Sequence, residues 1–127
     1  MNNILIANEQ NNVRKFDLEE RTAKFGEEII RFAQAMPKNE VTRPLVTQLV
    51  KCGTSVGANY CEADDAESKN DFRHKIGICK KEARESKHFL RLSMVAVPQM
   101  GERGQKLWQE AKELNLIFNS IYKKVQD

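Results

Sequence analysis

Hydrophobic residues recur along this chain at alternating intervals of three and four, the period of a helix with one buried face. Leu18, Thr22, Phe25, Ile29, Phe32 and Met36 form the first stripe. The capping-box pair Asp17 and Glu20 opens it, and Pro37 stops it because the proline ring clashes with the preceding turn. Residues 1–16, rich in Asn and Gln and without a sustained period, read as a loose arm, which leaves 17–127 as one bundle domain. A second stripe, Leu45, Leu49, Cys52, Val56, Asn59 or Tyr60, and Ala63, follows Thr42 as a cap and Pro44 in the first turn. The Ser68-Lys69-Asn70 turn, with Ser68 or Asn70 as the cap, leads into Phe72, Ile76, Cys79, Ala83, Ser86, Leu90, Met94 and Val97, ended by Pro98. Gly101 and Gly104 mark the last connection, and a fourth helix from about Gln105 carries Leu107, Ala111, Leu114, Phe118, Ile121 and Val125 in phase. Four amphipathic helices with short loops predict an all-α fold, an antiparallel up-down-up-down four-helix bundle.

A hydrophobic share of 40% against 31% charged residues is the balance of a globular domain rather than a disordered chain. No apolar stretch approaches the ~20 residues of a membrane span, and the Ile4–Ala7 run is too short for a signal peptide. Three cysteines, Cys52, Cys61 and Cys79, cannot all pair within one chain, which fits a reducing, cytoplasmic setting. Cys52 and Cys79 share the phase of the buried stripes, whereas Cys61 lies half a turn away and is expected at the surface.

Candidate chemistry is sparse. Glu85 and His88 make a Glu-x-x-His motif of the kind found in di-iron bundles, which need that motif on two helices. The only other histidine, His74, sits on the same helix about 21 Å away at 1.5 Å per residue, so the two cannot share a metal. No strained nucleophile elbow or phosphate loop appears, and no catalytic residues, metal ligands or cofactor are expected. Asn59, on the buried side of helix 2, needs a hydrogen-bond partner. With Glu62, Glu82 and Glu85 it reads either as part of a polar network that fixes helix register or subunit contacts, or as the surroundings of a carboxylate pair. The second alternative, extended to His88, is a carboxylate or metal-dependent enzyme with its site inside the bundle.

Two further stripes exceed what one bundle core needs. Gly53 and Gly57 interrupt helix 2 at a cost of ~1 kcal/mol each relative to alanine, so they mark either a kink or a close-packing face. With Val46 and Val50 on helix 2, and Ile78 and Phe89 on helix 3, they form a candidate interface between copies of the chain. On the other flank of helix 3, Arg73, Lys80, Arg84, Lys87 and Arg91 fall within a sector of about 60° at 100° per residue. Residues 69–91 hold eight Lys or Arg against three Asp or Glu. This stripe reads either as a solvated face or as a phosphate-binding surface for RNA or DNA.

The words FGEEIIRFAQAMPKN and TRPLVTQLVKCGTSVGANYCEADDAESKNDFRHKIGICKKEARESKHFL, above all TSVGANYCEA followed by AES and DF, carry a specific resemblance. From Phe25 to Leu92 the chain resembles the bacterial 23S rRNA intervening-sequence proteins, departing at Phe89, where tryptophan is expected. That resemblance implies an up-down four-helix bundle that assembles with itself, typically as a homopentamer, with no established enzymatic activity. The family name records where some of the genes lie, inside insertions in ribosomal RNA genes, and not a demonstrated ribosomal role. A related accessory protein of diversity-generating retroelements, a basic pentamer of the same fold, works with a reverse transcriptase and RNA. Nucleic-acid binding gains support from it by analogy alone.

Overall fold

Helix α1 (Asn3–Ala35) is the first element of the computed structural model, which describes residues 3–125 and the side chains of residues 18–125. It begins well ahead of Asp17, so the expected capping box lies inside the helix and the segment expected as a loose arm has a helical backbone from Asn3. A three-four period reports a buried face rather than helicity itself, and no glycine or proline precedes Gly26 to break the helix. Beyond its end, the Lys38 ammonium donates to the Ala33 carbonyl at 2.7 Å, satisfying an acceptor left over at the last turn.

Helix α2 (Thr42–Asp64) is not capped by Thr42 as its sequence suggested. Asn39 does this work: its Oδ1 accepts from the amides of Val41 at 2.9 Å and Thr42 at 3.0 Å. The buried Thr42 hydroxyl instead ties the loop together, accepting from the Asn39 amide at 3.0 Å and donating to the Pro37 carbonyl. Helix α3 (Lys69–Ala96) is capped by Ser68, whose Oγ accepts from the Asp71 amide at 3.0 Å. A single 3-10 turn, Pro98–Met100, leads directly into α4 (Gly101–Lys124). Gly104, expected in the connection, is therefore inside α4 and buried. A Cβ there would lie 2.5 Å from Cγ of Met94.

The helices alternate in direction as an antiparallel up-down-up-down bundle. α2 packs against α1 and α3, α3 packs against α4, and α1 meets α4 along a shorter line. The core is drawn from the expected stripes. Phe25, Ile29, Phe32, Leu49, Val56, Ile76, Ala83, Leu90, Leu114 and Phe118 are all buried. Tyr60, rather than Asn59, takes the buried position on α2, its ring 5.8 Å from that of Phe118. Leu45, Phe72, Met94, Leu107 and Ile121 are only half-buried, each near a helix end where the bundle opens to water.

Three hydroxyls inside this core donate to their own helices, and Ser86 also meets the Cys52 thiol of α2. Thr22 donates to the Leu18 carbonyl at 2.7 Å, Ser86 to Glu82 at 2.8 Å and Ser93 to Phe89 at 2.7 Å, each four residues back on its own helix. All three cysteines are free, with Cys52 and Cys79 buried and Cys61 exposed. Burial pushes the Cys79 thiol up to about 12, so it stays protonated, and it donates to the Val56 carbonyl of α2 at 3.6 Å. No described helix is long and apolar enough to cross a membrane.

Leu49 and Leu114 are each fully enclosed, so truncating either to alanine removes buried surface and leaves a cavity. Each variant should lose about 2–5 kcal/mol of unfolding free energy. Denaturant titration monitored by circular dichroism checks this, and near-neutral variants would show that these positions do not face the core.

Candidate nucleic-acid interface

The basic row predicted on α3 lies along its seam with α4 and divides into two lines. Arg84 and Arg91 are exposed, whereas Arg73, Lys80 and Lys87 are half-buried against α4. Tyr122 organises one end. The Arg73 guanidinium carbon lies 3.8 Å from the Tyr122 ring centroid, and Nε of Arg73 donates to the Tyr122 carbonyl at 3.3 Å. The Lys80 ammonium lies 4.6 Å from the same ring and donates to Oδ1 of Asn119 at 3.3 Å. Further along, Trp108 has Lys87 at 5.6 Å and Lys112 at 5.7 Å from its ring centroid. Asn115 closes the space between, its Nδ2 donating to the Lys80 carbonyl at 2.8 Å.

Tyr122 fits because position 77 is glycine: a Cβ there would sit 2.9 Å from Cε1 of the ring. Periodicity alone did not single out Gly77, Trp108, Lys112, Asn115, Asn119 or Tyr122. The available signal was a glycine between two cations, Arg73 and Lys80, on one face of a helix. Two carboxylates of α4 are turned away from this face. Arg21 of α1 donates to Glu110 at 2.7 and 2.8 Å and to Glu113 at 2.9 Å. The Glu110 hydrogen bond is the main reason that this guanidinium is held well above its ordinary pKa.

The other expected sites are dispersed or absorbed. Gly53 is buried against Ile29 of α1, where a Cβ would lie 2.7 Å from Cγ2, and a Cβ on Gly57 would lie 3.3 Å from the Thr22 carbonyl oxygen. Gly53 thus serves a packing face within one chain, whereas Gly57 is half-buried and also lines an open groove between α1 and α2. Val46 and Phe89 pack partly against the core, while Val50 and Ile78 are half-buried. Asn59 donates to the Ser55 carbonyl of its own helix at 2.8 Å, and exposed Glu62 pairs with Lys75 at 3.1 Å. Glu82 lies at the α2–α3 seam and Glu85 is exposed, so the four polar residues do not form one network. The His88 ring stacks edge-on against Phe89 at 5.3 Å. Among the described residues, no three His, Cys, Asp or Glu side chains come together as a metal site.

An all-α bundle in which three cations of α3 are seated on aromatics of α4 defines a helical protein with a basic face along that seam. The chain belongs to the 23S rRNA-intervening sequence protein family, whose model matches residues 14–120. It is similar to the crystal structure of a protein with unknown function from the S23 ribosomal protein family of Bacteroides thetaiotaomicron. The two share 27% identity and a TM-score of 0.78, over 86% of this chain and 97% of that one. No curated protein gives a significant match.

One titration follows from the dispersed carboxylates. Burial, and then Glu85, raise the Glu82 carboxyl above its ordinary 4.5. Because the folded value exceeds the unfolded one, the stability this group contributes is complete below the unfolded value and is lost as pH rises through the folded one. Glu82→Gln should therefore melt higher than wild type at neutral pH, with the advantage disappearing in acid. A difference that does not change with pH would contradict the assignment.

Proposed function

We propose that the protein is a non-enzymatic, self-assembling helical scaffold of the cytoplasm that binds nucleic acid through the α3–α4 face. The observation that carries this reading is the row of Arg73, Lys80, Arg84, Lys87 and Arg91. A merely solvated charge run would have no fixed partners, whereas three of these cations are seated on aromatic rings. No base-reading motif accompanies the row, so its contacts are with phosphate and largely independent of sequence. Replacing Arg84, Lys87 and Arg91 together by glutamine should weaken RNA binding and flatten its salt dependence by about one unit per lost phosphate contact. Unchanged affinity and slope would reduce the row to a solvated face.

Self-assembly is supported by apolar surface that the bundle leaves uncovered. Ile30 is 40% exposed beside a shallow groove between α1 and α2 lined by Ala23, Gly26, Thr54, Gly57 and Ala58. Val50 and Ile78 add half-covered apolar positions elsewhere. The family resemblance makes five copies in a ring the expected assembly, built by repeating one heterologous contact. Light scattering should give a mass several times the 14.6 kDa of one chain. A strictly monomeric mass at micromolar concentration would remove the assembly, and a dimer would remove the ring of five.

A further inference from the structure

We infer that the α3–α4 face takes double-helical nucleic acid in preference to single strands, an inference that rests on the nucleic-acid reading above. Proteins that hold single strands combine a cationic track with open aromatic faces on which bases stack. Two rings border this track, but cations already occupy them. Tyr122 enters the notch at Gly77, and Gly77 falls between Arg73 and Lys80 on α3, so the ring is clasped from both directions along the helix. Trp108 has both Lys87 and Lys112 within cation–π range. A base stacking on either ring would have to displace the cations that the track needs for phosphate.

The spacing of the cations points the same way. Arg73, Lys80 and Lys87 recur every seven residues, as do Arg84 and Arg91. At 1.5 Å rise per residue, the first line places charges about 10.5 Å apart over about 21 Å of one straight helix. A duplex supplies phosphates at positions fixed by its own helix, so a straight row of cations meets ordered charges where the two backbones cross it. A single strand would have to be straightened against it without base stacking to offset the lost freedom. The cations are themselves preordered: Arg73 is fixed to the Tyr122 carbonyl, and Lys80 to Asn119. Ordered donors lose little on meeting an ordered ligand. Tyr122 acts here as a positioning residue.

The test compares a labelled RNA duplex of roughly 20 base pairs with oligouridine of the same length, by fluorescence anisotropy at several salt concentrations. The duplex should bind about tenfold more tightly at equal salt. Tyr122→Phe, which keeps the ring, should match wild type. Tyr122→Leu should weaken duplex binding and flatten its salt slope by about one unit. If Tyr122→Leu loses helical content, the wild-type ratio and Tyr122→Phe still decide. Oligouridine bound as tightly as the duplex, or selectively weakened by Tyr122→Leu, would overturn the inference and leave nucleic-acid binding standing. Binding of neither probe at low salt would overturn both.

Discussion

Close approach of helix backbones at glycine notches is the constraint on which this bundle depends. Gly53 on α2 receives Ile29 from α1, Gly77 on α3 receives Tyr122 from α4, and Gly104 on α4 receives Met94 from α3. Each glycine inside a helix costs about 1 kcal/mol relative to alanine, a cost offset by dispersion contacts that a Cβ would exclude. The α1–α4 seam differs. Its shallow groove of about 200 Å³, lined by Arg21, Lys24, Phe25, Glu28, Leu107 and Glu110, is bridged by the Arg21 carboxylate contacts rather than by a large side chain in a notch.

That contrast shapes the surface charge. Arg21 draws Glu110 and Glu113 toward α1, and Lys75 takes Glu62 on the α2 side of α3. Acids are thereby neutralised on the flanks, and the α3–α4 face keeps its cations. None of this requires a large net charge, since the chain carries only +3. The field at one face comes from which ion pairs form, and those follow from the order of helices around the bundle.

The buried faces were legible in the sequence because burial in a bundle is periodic: Phe25, Ile29, Leu49, Leu90 and Phe118 all stand where their stripes put them. Helix ends were less so. Thr42 has the right chemistry for a cap, but Asn39 reaches the free amides first. Glycine was the main source of ambiguity, because a connection and a notch use the same residue for different reasons. Gly104 read as a connection and Gly53 as a kink or a close-packing face, and both are sites where another helix closes in. For the candidate site, one-helix spacing revealed the cation row but not its seats, which come from Tyr122 and Trp108 on a different helix. The expected polar network dissolved for a related reason, as Asn59 satisfied itself on its own backbone and Glu62 found Lys75.

Thr22, Ser86 and Ser93 each return a hydrogen bond to their own helix, and among the described residues the α2–α3 core is crossed only by weak thiol contacts, Cys52 with Ser86 and Cys79 with the Val56 carbonyl. Mutual recognition of helices through the core is therefore written mainly in volume, and notch and knob form a pair in which neither changes alone. At Gly77 the pair reaches the surface. A larger residue there would require a smaller one at Tyr122, and with the ring would go the support under Arg73 and Lys80. Drift in core packing and drift in surface charge are thus coupled at one position, and a lineage that repacked this seam would redraw its basic face without altering a single lysine or arginine.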